Sequence, residues 1–271
     1  MESSKRSVSR PGPGNRPWAL VTGASSGIGA ALARELARHG HDLVLSARSR
    51  APMEVLAEEL RGLGASATVI TADLADPHGA ATLVGEIATS GIEIDVVVNN
   101  AGLGAFGRFV TIDPARNGEM LQVNVVALTE LTHALLPAMI ARRRGKIVLV
   151  ASTASFLPCP NFTVYAATKA YVRSFGEALS QELRGSGVTV NVLCPGTTAT
   201  NFFDVAGNTL TALQRRRMMT ADAVAQIGYA GLARGERVTI AGLMNRILAF
   251  AATHTPHFLT LPAAARMLAQ D

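Results

Sequence analysis

Short apolar runs alternate with stretches of helical periodicity along nearly the whole chain, and this alternation narrows the fold more than any other feature. Runs at Trp18–Thr22, Leu43–Ala47, Ala67–Thr71, Ile94–Val98, Ile147–Ala151 and Val188–Leu193 have the length of strands and are rich in Val, Leu and Ile. Between them, apolar residues recur at helical spacing over Ile28–Arg38, with Ile28, Leu32 and Leu36 on one side, then over Met53–Leu60, Ala80–Thr89, a long stretch within Ala115–Arg142, and Ala170–Leu183. Continuous rather than alternating apolar strands are buried on both faces, and parallel neighbours need a crossover long enough to bring the chain back. Right-handed crossovers then give an α/β fold of one domain, a doubly wound parallel sheet with helices on both faces. Thr220 is placed as the N-cap of a further helix over Ala221–Ala233, and Arg237–Ala241 supplies a seventh strand.

Composition excludes several other classes. A chain of 271 residues, 48% hydrophobic and 17% charged, carries enough apolar surface for one sizeable core. Residues 1–16 are rich in Ser, Arg, Pro and Gly and lack the apolar stretch of a signal peptide, so they read as a flexible leader before a domain spanning 17–271. Lys5, Arg6, Arg10 and Arg16 against Glu2 supply +3 of the net charge of +5, and the clusters Arg142–Arg144 with Lys146 and Arg215–Arg217 read as solvated ends of elements. Without a basic helix interleaved with aromatics, nucleic acid is not an expected partner. Cys159 and Cys194 fit no redox or metal spacing, the six histidines form no ligand set, and no metal is expected. The cytoplasm is therefore the expected location. No stretch of about 18 residues is read as staying apolar, so a spanning helix is not expected, whereas an interfacial helix in the greasy region Ile247–Leu268 is left open.

The first strand runs into Thr22-Gly23-Ala24-Ser25-Ser26-Gly27-Ile28-Gly29 directly before a helix. Glycines let the backbone turn tightly and approach a phosphate, and a helix N-terminus offers free N–H groups to an anion. The spacing Gly-x-x-x-Gly-x-Gly lacks the Lys-Ser or Lys-Thr of a nucleoside triphosphate loop, which favours a dinucleotide. Farther on, Tyr165 and Lys169 stand four apart in a helical stretch and share one face, bringing an ammonium near a phenol. Such a charge favours the phenolate, predicting a phenol that titrates nearer neutrality than usual.

The glycine turn, Asn99-Asn100-Ala101-Gly102, Asn124, Ser152, Tyr165-x-x-x-Lys169 and Pro195-Gly196, in this order and spacing, resemble the short-chain dehydrogenase/reductase family over about residues 17–200. The resemblance implies a Rossmann-type fold, a nicotinamide cofactor and hydride transfer between a carbonyl and an alcohol. It implies Tyr165 as general acid and base, Ser152 as holder of the substrate oxygen, Lys169 as ribose ligand and modulator of Tyr165, and Asn124 as holder of a water that feeds protons to the lysine. Cofactor contacts are implied at Gly23, Ser25, Ser26, Gly27, Ile28, Gly29, Asn100, Ala101, Gly102, Pro195, Gly196, Thr198 and Thr200, and at Asp73 with Leu74 beside the adenine, unless Asp73 caps the helix that follows.

NADP(H) is favoured over NAD(H). An acid that selects NAD sits about 20 residues past the glycines at the strand's carboxyl end. Asp42 has that offset but precedes Leu43-Val44-Leu45, at the far edge, whereas Arg48 follows the run where a guanidinium can meet a 2′-phosphate. Around the substrate, Leu103, Phe106, Phe156, Phe162, Phe202 and Phe203 give apolar walls suited to a hydrophobic ketone, aldehyde or secondary alcohol. Residues 201–241 are assigned to a substrate lid and the last strand. Residues 242–271 form a helical extension that covers the pocket, packs on a second subunit or touches lipid. The resemblance implies a homodimer or homotetramer through Ala115–Arg142 and Phe162–Arg184. Two other readings remain beside this one: a protein that senses NADP(H) and regulates a partner without turnover, and epimerase or dehydratase chemistry on the same scaffold.

Overall fold

The computed structural model describes residues 16–208, 216 and 218–268; residues 1–15 of the expected leader 1–16, residues 209–215 and 217 of the expected lid, and residues 269–271 lie outside the described residues. Seven parallel strands, β1 (Trp18–Thr22), β2 (Asp42–Ala47), β3 (Ala67–Thr71), β4 (Ile94–Asn99), β5 (Gly145–Val150), β6 (Val188–Cys194) and β9 (Val238–Ile240), run in the order β3-β2-β1-β4-β5-β6-β9. A two-residue pair, β7 (Thr198–Ala199) and β8 (Met219–Thr220), forms a separate small sheet beyond the carboxyl edge. The direction of winding reverses between β1 and β4, the point at which open parallel sheets receive their ligands.

Successive strand residues point to opposite faces and divide the core in two. Val21, Leu45, Val98 and Val148 pack under α1 (Gly27–Arg38), α2 (Arg50–Gly62) and the helix Ala221–Ala233, meeting Leu36, Met53, Leu60 and Leu232. On the other face Leu20, Val44, Val97 and Leu149 meet Leu83 of α3 (Gly79–Thr89), Leu131 of the long helix and Val172 of α6 (Thr163–Glu182). These apolar strand residues are buried on both faces, as the continuous runs require. Thr220 caps Ala221–Ala233 by accepting from the Ala223 N–H at 3.1 Å, and Asp113 caps the long helix by accepting from Ala115 N–H at 2.9 Å.

The long helix, Pro114–Ala141, consists of α4 (Pro114–Leu121), a π turn over Gln122–Ala127 and α5 (Leu128–Ala141). Contrary to the expectation from the sequence, this helix is long and apolar enough to cross a bilayer. Its apolar content has another cause: Met120, Val123, Leu128, Leu131 and Met139 are buried within the protein. The extension past residue 242 folds as two helices, Leu243–His254 and His257–Met267, parted at Pro256.

Candidate active site

The predicted site residues converge at the carboxyl ends of the strands. After β1 the chain turns through Gly23 and Gly27 at φ of 65° and 57°, values that favour glycine, and enters α1. Thr22 at the strand's end holds this turn to β4: its hydroxyl donates to Val98 O at 3.3 Å and accepts from the N–H groups of Asn100 and Ala101 at 3.1 and 3.0 Å. The Asn100 side chain donates back to Thr22 O at 2.9 Å and Gly23 O at 3.2 Å. A Cβ on Gly29 would overlap Gly23 O and the Asn100 amide, so the turn and the loop after β4 lock together only with glycine there.

Ser26, the N-cap of α1, makes no side-chain cap to the helix. The first N–H groups of α1 therefore point from the switch point without a side-chain acceptor, which suits a pyrophosphate. Arg48 is exposed just past the carboxyl end of β2, while Asp42 lies at the other end, accepting from Ser66 N–H at 2.7 Å. Asp73 is exposed past β3 and accepts from Ala75 N–H at 3.0 Å; it closes a turn rather than capping α3, whose N-cap is His78. Leu74 beside it is buried in the core. Past β6, Pro195 and Gly196 lead into Thr198, whose hydroxyl donates to Gly196 O at 3.0 Å, and Thr200 packs its methyl against Gly27. The region thus bridges the glycine turn and the catalytic edge. Ser25 and Ser26 lie on the open side of that turn, and Ile28 packs back on the core.

Tyr165 and Lys169 occupy the first turns of α6, one helical turn apart, with Lys169 Nζ 5.8 Å from the centre of the Tyr165 ring. Both are buried, at 8% and 4% exposure. Lys169 Nζ donates to Val150 O at 2.8 Å, leaving two ammonium hydrogens for other acceptors. Burial pulls the lysine down to about 8, and burial pushes the tyrosine up to about 12 against the neighbouring Ser152 hydroxyl, which works to lower it. The spacing of the pair predicts the opposite direction for Tyr165. A shared helical face says that two groups are near and nothing about the loss of water around them, and here desolvation outweighs every partner.

Ser152 follows β5, where its hydroxyl accepts from Ala154 N–H at 3.1 Å beside the phenol. Asn124 is fully buried in the π turn. Its amide donates to Leu103 O at 2.9 Å and Thr168 Oγ1 at 3.0 Å, and its oxygen accepts from Leu103 N–H at 2.8 Å. Thr168 in turn donates to Tyr165 O at 2.7 Å, so the π turn, the loop after β4 and α6 form one hydrogen-bonded unit. Neither Thr168 nor Thr22 stands out in the sequence, since a threonine in a helix or at a strand end carries no signal of its own.

An aromatic cluster covers this centre. Phe162 lies 4.6 Å and Phe202 5.3 Å from the Tyr165 ring, Phe106 lies 5.4 Å from Phe162, and Phe203 meets Phe202 edge-on at 5.5 Å. Leu103, Leu157, Cys159 and Leu268 pack with them. Phe156 does not join this wall: it packs on the main core with the Arg173 guanidinium 4.3 Å above its ring. Burial pushes the Cys159 thiol up to about 11, which leaves it a wall residue rather than a nucleophile. Among the described residues no group of three His, Cys, Asp or Glu side chains is placed to hold a metal.

A hydroxyl, a phenol and an amine gathered at the switch point of a parallel sheet, beside an anion-accepting glycine turn, define a dinucleotide-dependent oxidoreductase of Rossmann type. The family model described as short chain dehydrogenase matches residues 17–210. The chain is 38% identical to the oxidoreductase UcpA of Escherichia coli K12 over 179 residues, covering 66% of this chain and 68% of that protein. Among solved structures it resembles a short-chain dehydrogenase from Sphingobium yanoikuyae in complex with NADPH, at 33% identity and a TM-score of 0.79. It also resembles the bulky-bulky ketone specific alcohol dehydrogenase from Comamonas testosteroni, at 32% identity and a TM-score of 0.75; each alignment covers 93% of both chains. The chain belongs to the short-chain dehydrogenase family and is an oxidoreductase that uses a nicotinamide cofactor.

Proposed function

We propose that the enzyme is an NADP(H)-dependent reductase or dehydrogenase of a bulky, apolar ketone or secondary alcohol, with Tyr165 as the group that gives and takes the proton. The observation carrying this reading is the phenol of Tyr165 buried under an aromatic wall, next to Ser152 and one turn from Lys169. A bound nicotinamide would supply the hydride that the carbonyl carbon receives in reduction and would accept it from the alcohol carbon in oxidation. Ser152 holds the carbonyl oxygen by a hydrogen bond. Tyr165, protonated at neutral pH because burial raises it, donates to that oxygen as negative charge grows on it, and recovers the proton when the reaction runs toward the ketone. Lys169 is fixed by Val150 O, and its remaining hydrogens suit ribose hydroxyls. Asn124 Oδ1 and Lys169 Nζ both lie 3.3 Å from the point that a Cβ on Gly102 would occupy, so the path for returning a proton to the lysine is short. With its amide spent on Leu103 and Thr168, Asn124 positions this path.

Arg48 at the end of β2, and no acid at that end, support NADP(H); the relative solved with NADPH supports it too. A wall of Phe106, Phe162, Phe202 and Leu103 favours an apolar substrate, in keeping with the neighbour described as specific for bulky-bulky ketones. Exposed Leu121 and Ile140 on the long helix, and Tyr171 on α6, are the faces on which a second copy would pack. Turnover of a panel of bulky and small ketones with NADPH and NADH, beside a Tyr165→Phe variant, tests the reading. Equal rates for the two proteins would refute the role of Tyr165, and faster turnover of small polar carbonyls would refute the substrate class.

A further inference from the structure

We propose that the C-terminal helix pair, Leu243–His254 and His257–Met267, docks the enzyme on an anionic lipid surface. A helix lying on a protein body in water buries its apolar stripe and shows its polar one. Here the order is inverted. Toward the body the first helix offers Ala249 and Asn245, whose amide donates to Ala241 O at 2.6 Å, and the second offers Ala264. Outward stand Leu243, Ile247, Leu248, Phe250, Phe258 and Leu259, with Phe250 66% and Phe258 74% exposed. Leu243, Ile247 and Phe250 recur at three and four residues and so form one continuous outward stripe.

Charge selects the occupant. From Arg237 to Gln270 the sequence holds no Asp or Glu, while Arg246, His254, His257 and Arg266 are exposed within the pair. Arg246 lies four residues before Phe250, on the same side of the helix, so a guanidinium borders the apolar stripe, and the His254 ring stacks on Phe250 at 4.1 Å. A second copy related by a two-fold axis would set this face against itself, guanidinium against guanidinium, with no carboxylate among the described residues of the pair to answer it. Anionic headgroups supply that charge, with the aromatic and aliphatic side chains entering the acyl boundary beneath them. The pair also ends at the active site. Leu268 packs with the aromatic cluster around Tyr165, and its carbonyl accepts from the Asn161 amide at 3.0 Å, so docking would hold the lipid surface beside the site.

The full-length protein is to be sedimented with vesicles of phosphatidylcholine alone and of phosphatidylcholine mixed with phosphatidylglycerol, at low and at physiological salt, and run in an ultracentrifuge without lipid. Binding to the mixed vesicles only, weakened by salt, is the expected result. Arg246→Glu with Arg266→Glu is expected to cut partitioning on the order of tenfold. Phe250→Ser with Phe258→Ser is expected to abolish it, while both variants keep turnover of a water-soluble ketone and so are folded. Absence of binding to the anionic vesicles, or equal binding to both kinds, overturns the proposal whatever the variants do. So does a phenylalanine variant that converts an oligomer to monomers in a protein that ignores vesicles, for the face would then belong to a second copy.

Discussion

At the level of single residues, the decisive fact is that Tyr165 and Lys169 are moved in opposite directions by the same burial, to about 12 and about 8. The tyrosine is then protonated across the neutral range; in the role proposed for it, this favours reduction, whereas oxidation would use the phenolate and gain as pH rises. Reduction is expected to be flat through neutrality and oxidation to climb through pH 8 and beyond, checked by pH profiles of kcat/KM in both directions. Stability carries a separate signature. A lysine lowered to about 8 from 10.5 is harder to keep charged in the folded protein than in the unfolded one. The unfolded chain therefore binds more protons between those values, and stability rises with pH over that window; below about 8 the penalty of burying the charge is present in full. Lys169→Met should flatten that part of a plot of Tm against pH, and an unchanged slope would show that the lysine titrates normally. Tyr165→Phe is expected to lower kcat by about 10²- to 10⁴-fold with little change in Tm, since it removes the hydroxyl that carries the proton and keeps the ring among Phe162 and Phe202. Thr168→Val acts differently: it strips Asn124 of an acceptor inside the protein, at a cost of about 1–3 kcal/mol, and should lower Tm as well as turnover.

At the level of elements, the glycine turn and the π turn are the two places where local backbone geometry makes the site. Gly29→Ala puts a methyl group onto Gly23 O and the Asn100 amide, prising the turn from the loop after β4. Loss of dinucleotide binding in a fluorescence titration, with a drop in Tm from about 1–3 kcal/mol of overpacking, is the expected outcome. The role proposed for Arg48 at the end of β2 is narrower, the choice of dinucleotide alone. Arg48→Ala should raise the KM for NADPH on the order of tenfold or more and leave that for NADH unchanged, and equal effects on both would remove it from the 2′-phosphate. β1 is legible to the residue because a parallel strand buried on both faces is an apolar run ending in a turn, and the edge strand β3, with only Ile70 buried, is legible through its β-branched residues. β5 begins earlier than its apolar run, at Gly145, because Gly145 and Lys146 pair with Val188 and Thr189 through backbone groups that do not depend on side-chain polarity. The π turn around Asn124 is not legible because no residue type or cap marks a single widened turn within a helix. Neighbourhood in sequence places Phe156 in the substrate wall, yet a turn after Ser152 directs it onto the core and under Arg173.

For the molecule as a whole, the sheet brings residues from six strand ends, those of β1 to β6, to one edge, while the aromatic wall over that edge comes from segments far apart in the chain. Phe106 N–H donates to Ala206 O and Gly107 N–H to Asn161 O, each at 2.8 Å, and Asn161 reaches on to Leu268 O at 3.0 Å. Asn161 sits at φ 63°, a conformation that asparagine tolerates better than most residues, so it is the fastening point of three segments around the pocket. The final helix, His257–Met267, is held lightly. Ala264 is its buried side chain among those described, and Leu268 beyond it fills one corner of the aromatic cluster. With so little apolar surface removed from water, this helix adds little to global stability, but it carries Leu268 into one corner of the wall around Tyr165. A chain ending at Thr255 is therefore expected to melt within a few degrees of the full protein and to bind NADPH unchanged, while its KM for a bulky apolar ketone rises with kcat nearly constant. Asn161→Ala should reproduce the KM change in part, because it frees the same corner and leaves Leu268 in the chain. Should the truncated protein instead lose its cooperative melting transition, the extension would be part of the core rather than a cover on it.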